Sequence, residues 1–154
     1  MATVCTPEQE LRNALDAFET ALATPVVAGE LAAWSVAALE DWNELSAQVH
    51  YHVGHMHPRQ YQQISHEDPE MLACVEKLKA EDTKIEQDRE AFNRMIVRVV
   101  AHAPKFERDE EKIRVHTQHM IDAGLAFVSR VRKQEIVIQT WFMEAFNRDR
   151  GVAD

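Results

Sequence analysis

At 154 residues, 45 % of them hydrophobic, the chain is expected to fold as one domain, residues 1–154, with enough apolar material to bury a core. A formal net charge of −9 argues against nucleic acid as a partner, because phosphate affinity comes from Lys and Arg, and 17 of these face 26 Asp and Glu. Nothing in MATVCTPEQE looks like a secretory leader and no window approaches a membrane span, while Cys5 and Cys74 match no metal or redox spacing, so a cytoplasmic protein with free thiols and no membrane contact is expected.

In chain order the hydrophobic period predicts four helices. Thr6-Pro7-Glu8 is a start signal, with Thr6 as N-cap and Pro7 at the first helical position. Leu11, Leu15, Phe18 and Leu22 then recur at spacings of three and four as one apolar stripe. After Pro25 and Gly29, a second helix carries Leu31, Trp34, Ala38, Trp42, Leu45, Val49 and His52 in the same rhythm. Pro58 is expected to kink it, although Tyr61 and Ile64 continue the stripe.

The segment SHEDP, residues 65 to 69, reads as a turn with Pro69 opening the third helix. Leu72 or Val75, then Leu78, Asp82, Ile85, Arg89, Phe92, Ile96 and Val99 share one face of that helix, which Pro104 is expected to end. The fourth helix is expected from about residue 107 to 147, with Ile113, Met120, Phe127, Val131, Gln134, Ile138 and Trp141 inward. Its interior Gly124 costs about 1 kcal/mol relative to Ala, which a close helix contact would explain. Four helices with short connections predict an all-α, antiparallel up-down-up-down four-helix bundle.

The stripe turns polar at His52, Asp82 and Gln134, each on a different helix, and Glu8 extends the stripe of the first. At 1.5 Å per residue, all three lie roughly 20 Å from the same end of the bundle. Polar groups from three helices at one level of a core point to a site or its remnant. A hydrogen-bonded cluster of His52, Asp82, Gln134 and Arg89 is the expected arrangement, since buried polar groups need partners.

VHYHVGHMHP, residues 49 to 58, holds four of the eight histidines. On an α-helix, His50 aligns with His57 and His52 with His55, so only His52 falls on the seam. The other three are expected to face solvent or the kink, the alternative being a surface metal site of His52, His55 and His66. His116, His119 and Asp122 form half a ligand set at best and read as a polar stretch. Glu81, Asp82 and Glu86 read as part of a charged face, and VSRVRK, residues 128 to 133, as a source of salt pairs across the bundle.

Three segments together resemble the bacterial hemerythrin-like (HHE cation-binding) family: WNELSAQVHYHV (42 to 53), HEDPEMLACVEKLKAEDTKI (66 to 85) and RKQEIVIQTWFMEAFNRDRGVAD (132 to 154). They are similar to its L-x-x-x-L-x-x-H second helix, to its turn into an L-x-x-E-H-x-x-I third helix, and to its R-x-H-E-x-x-E tail. The resemblance implies a four-helix bundle holding two iron ions through histidines from all four helices and carboxylates from the second and fourth. Carried onto this chain, the second-helix histidine is His52, but its carboxylate partner falls on Met56. The third-helix histidine falls on Asp82, the fourth-helix histidine on Gln134, its carboxylate on Ile138, and the first-helix histidine near Glu8.

That pattern implies a degenerate di-iron site, with His52, Asp82 and Glu8 as its remaining metal-competent groups. The expected function is a non-catalytic binding or interaction protein without cofactor, a monomer or homodimer with a protein or small-molecule partner. The alternative is an iron protein that binds oxygen or an oxidant through a rearranged site of His52, Asp82, Glu8 and nearby histidines such as His55 or His57.

Overall fold

The computed structural model describes residues 5–106 and 108–148, and the side chain of Glu110 lies outside the description. The expected start of the fourth helix at residue 107 and the last six residues of the tail segment also fall outside it. Among the described residues the chain is all-helical. Its elements are α1 (Pro7–Ala23), α2 (Leu31–Tyr51), a π-turn (His52–Met56), α3 (His57–Glu67), a 3-10 turn (Pro69–Met71), α4 (Leu72–Phe106) and α5 (Glu110–Arg148). Because α2, the π-turn and α3 run on without interruption, the elements make four helical rods.

Local chemistry sets the ends. The Thr6 hydroxyl accepts from the Gln9 backbone N–H and Pro7 opens α1. Gly29, at φ +87°, takes the left-handed conformation that turns the chain into α2. The Asp68 carboxylate caps the 3-10 turn that leads into α4. Pro104 does not end its helix: α4 runs on to Phe106, since a proline in the last turn forfeits only one backbone bond.

The expected stripes form the core, with local differences. Leu11, Leu15, Phe18 and Leu22 meet Trp42, Leu45, Val49, Ile85, Phe92, Ile96, Met120, Phe127 and Val131 in the main apolar cluster. Within it Phe18, Trp42, Phe92 and Phe127 are in ring contact, with centroids 4.5–5.6 Å apart. Gly124 sits where Leu22 and Phe92 press closest: a Cβ there would lie 2.5 Å from Leu22 Cδ1 and 3.2 Å from the Phe92 ring. Of the pair Leu72 and Val75, Val75 is buried and Leu72 exposed. Trp34 is half-buried, its indole N–H shared between the carbonyls of Ala21 and Thr24.

A second cluster of Tyr61, Ile64, Met71, Val75, Leu78, Ile138 and Ala145 fills the end built from α3, α4 and α5. The polar site lies between the two clusters. Salt pairs from the basic patch cross the rods as expected: Arg130 reaches Glu81 and Asp88, and Arg132 reaches Asp16 and Glu19.

Candidate metal centre

The π-turn determines which histidines meet. In an α-helix, residues five apart point about 140° away from each other, which places His57 off a face defined by His52. Here the His57 backbone N–H bonds the His52 carbonyl, a step of five residues, and the wider turn brings both imidazoles to the same side. Pro58 follows at once. It has no N–H to give, and its ring would collide with the carbonyl four residues back in an α-helix. The proline therefore does not interrupt the rod; the chain takes up one extra residue ahead of it.

His57, expected in solvent or the kink, is instead buried to 1 % exposure, beside His52 at 2 %. His50 and His55 are exposed, His50 against Glu86 and His55 stacked on Tyr51. With His52 buried and His66 exposed, the surface site of His52, His55 and His66 does not form.

Each imidazole nitrogen has a definable role. His52 Nε2 lies 3.1 Å from the Pro7 carbonyl, which can only accept, so this nitrogen carries the proton. His52 Nδ1 then faces Glu135 Oε1 at 3.4 Å. His57 Nδ1 donates to Asp82 Oδ1 at 2.9 Å, and His57 Nε2 meets the same Glu135 oxygen at 2.6 Å. Asp82 is committed elsewhere, since Tyr61 donates to its Oδ2 at 2.6 Å and Gln134 to its Oδ1 at 2.9 Å. Gln134 Nε2 also reaches the Leu78 carbonyl at 3.0 Å. No buried side-chain N or O among the described residues lacks a partner.

The charges follow from this geometry. Burial alone would depress the His57 pKa, but the bonds and charges of Asp82 and Glu135 override it and raise the imidazole to about 9. Burial would likewise raise Glu135, but the imidazoles of His52 and His57 against its carboxyl hold it at about 2. Burial and donation to Asp82 push the Tyr61 phenol up, so it stays protonated. The buried row is thus carboxylate, imidazolium, carboxylate.

His52, His57 and Glu135 each present a ligand atom within 4.8 Å of the others. The outer shell is also built: Asp82 orients His57 through Nδ1 and the Pro7 carbonyl orients His52 through Nε2, the arrangement that fixes imidazoles for a metal. Two imidazoles and a carboxylate suit a divalent transition metal and leave positions open. Among the described residues a second ion finds no equivalent set. Gln134 gives its amide N–H groups away, Ile138 is fully buried in the apolar end cluster, and Asp82 already accepts three bonds. The donor set fits one ion and does not fit two.

Several expected site residues lie elsewhere. Arg89 is not in the polar cluster; its guanidinium is held outside it by Glu86 and the Ser46 hydroxyl, and that pairing pulls the Glu86 pKa down against the opposing effect of burial. Glu8 is exposed on the rim of a groove between α1 and α5, away from Asp82. Asp82 contacts His57 rather than presenting an oxygen beside His52. Met56 is half-buried outside the site lining, and it is Glu135 that supplies the carboxylate. Sequence reasoning missed Glu135 because it is adjacent to the seam residue Gln134, one step off the buried stripe. Its signal was a carboxylate in a half-buried position at the level of the histidines.

Comparison with protein-family models, with curated proteins and with solved structures finds no match for this chain.

Proposed function

We propose that the chain is a metal-binding protein in which His52, His57 and Glu135 hold one divalent transition-metal ion, iron being the natural occupant for this donor set. The carrying observation is that His52 Nδ1 and His57 Nε2 converge on one Glu135 oxygen while their other nitrogens are fixed from outside. When bound, the ion supplies a Lewis-acidic centre with open positions for oxygen or an oxidant. The protein's own share is to align the imidazoles, hold the Tyr61 proton on its oxygen, and wall the site with Leu11, Val49, Val53, Ile85 and Val131. The role is one of binding rather than catalysis, in the cytoplasm.

The same reading takes the fold as an antiparallel up-down-up-down bundle of hemerythrin-like type that has exchanged a di-iron site for a single-ion one. In support, Trp34 near the start of α2 meets the end of α1, while His52, just past the end of α2, meets Pro7 at the start of α1. Trp42 with Asn93 and His57 with Asp82 run oppositely in the same way.

A metal-free reading has one observation in its favour: with His57 as imidazolium, both of its nitrogens are satisfied by Asp82 and Glu135 without an ion. Elemental analysis of untagged protein expressed with iron and manganese separates the two. About one ion per chain is expected, from the single donor set. It should be lost in Glu135→Gln and His57→Gln, with helical circular dichroism retained. Sub-stoichiometric metal indifferent to both substitutions would establish the metal-free reading.

A further inference from the structure

Tyr61 is a buried ionisable group beside the metal centre that does not itself hold the ion. It is 3 % exposed, its ring packs on His57 with centroids 5.9 Å apart, and its phenol donates to Asp82 Oδ2 at 2.6 Å. Asp82 Oδ1 accepts from His57 Nδ1, so one carboxylate joins the phenol to an imidazole whose Nε2 faces the ion's position. A phenol-to-carboxylate bond this short is charge-assisted and within reach for proton transfer.

Counting electrons gives this phenol a task. Breaking the O–O bond of a peroxide to closed-shell products takes two electrons, and one ferrous ion gives a single electron on passing to ferric. Without a second electron, half of the peroxide leaves as hydroxyl radical. The donor set of His52, His57 and Glu135 holds one ion, so the second electron has to come from the protein.

Tyr61 is placed to give it. An electron leaving a buried phenol that kept its proton would strand a positive charge in an apolar core, and Asp82 removes that cost by taking the proton. The oxidised oxygen would still accept from Gln134 Nε2 at 3.3 Å, within a cluster of Ile64, Leu78 and Ile138 that excludes solvent. Other rings lack these features. The indoles of Trp34 and Trp42 donate to carbonyl oxygens, which are too weakly basic to take up a proton. Tyr51 lies 6.2 Å from the His52 ring, but it is 42 % exposed and its hydroxyl has no hydrogen-bond partner among the described residues.

On the one-ion reading of the site, we propose that Tyr61 supplies the second electron when the loaded protein meets a peroxide. The ferrous ion gives one electron and becomes ferric; Tyr61 gives the other and becomes a neutral phenoxyl radical. The O–O bond of hydrogen peroxide breaks to two hydroxides, and the phenol proton, held at rest, moves with the electron to Asp82 Oδ2. The peroxide enters from the open groove between α1 and α5, which Glu135 also lines. The step is stoichiometric and releases no hydroxyl radical.

The chain has two tyrosines, so the radical can be assigned. Iron-loaded protein mixed with hydrogen peroxide and frozen at once should show a tyrosyl radical by electron paramagnetic resonance, narrowed when the protein carries ring-deuterated tyrosine. Tyr51→Phe should keep the signal. Tyr61→Phe, compared at equal iron content, should lose it and give several-fold more spin-trapped hydroxyl radical. Loaded protein without a tyrosyl signal, or a signal that survives Tyr61→Phe or is lost in Tyr51→Phe, overturns the inference and leaves metal binding standing. A chain that takes up no iron in the elemental analysis overturns both.

Discussion

Asp82 shows how much one buried carboxylate organises: it accepts from His57, Tyr61 and Gln134 and so ties α3, α4 and α5 together. Replacing it with a neutral isostere leaves the imidazolium with half of its counter-charge and turns an acceptor oxygen into a donor facing other donors. Asp82→Asn should therefore destabilise the protein by roughly 3 kcal/mol, the scale of breaking a buried pair. Urea unfolding at pH 6 measures this, and a change within error of zero would show that the row is not ionic. At this scale the sequence was only partly legible. Asp82 and Gln134 announced themselves as polar breaks in an apolar stripe, and the structure bonds them directly. His57 did not, because its inward orientation depends on a backbone turn that no side-chain period reports. Arg89 sat on the right stripe, but its long side chain reached outward to Glu86 and Ser46 instead.

Among elements, the two helix-interior glycines separate packing from propensity. Gly124 lies where α5 presses on Leu22 and Phe92, and Gly54, in the π-turn, has nothing near the position of a Cβ. Gly124→Ala should cost about 1–3 kcal/mol by overpacking, despite the better helix propensity of alanine. Gly54→Ala should be neutral or slightly stabilising, by less than about 1 kcal/mol. Thermal melts of the two variants check the contrast, and equal shifts would remove the close contact from the account. The close contact was expected from the sequence, because an interior glycine in a long helix needs a reason. Helix bounds were less legible, since Pro104 was weighed as a stop when it falls in the last turn, where little backbone bonding remains to lose.

For the whole molecule, the ionic row couples stability to pH. His57 has its pKa raised from 6.5 to about 9, so its contribution is full below pH 6.5 and is lost as the pH climbs toward 9. Glu135 is depressed from 4.5 to about 2, so its contribution is present above pH 4.5 and lost as the pH falls toward 2. Both shifts describe one interaction, and metal-free protein should be most stable between these limits, losing on the order of 3 kcal/mol toward pH 9. Urea midpoints across that range measure the loss, and His57→Gln should flatten it. A bound divalent ion in place of the Nε2 proton should flatten it too, since the imidazole then has no proton left to release. The all-helical architecture was plain in the sequence because the stripes are long and the breakers few. The site was not, because it rests on contacts between rods rather than on any motif within one.

The π-turn also fixes how residues are counted along the second rod. His57, Tyr61 and Ile64 are all buried, yet by α-helical counting they fall together on the side of the helix away from His52, about 120–180° round. Subtracting one residue from every number after the turn returns them to the face of Trp42, Leu45 and Val49. The rod thus behaves as a ruler re-zeroed midway: α3 carries a one-residue insertion relative to α2, absorbed without a loop. A one-residue deletion inside 52–56 would remove the insertion and leave α3 facing as it does, on an unbroken α-helix, whereas the same deletion in the α-helical stretch of α2 would turn everything after it by about 100°. The spacing of five between the two histidines is therefore the mark of the insertion itself, and a compensated deletion would read as a spacing of four.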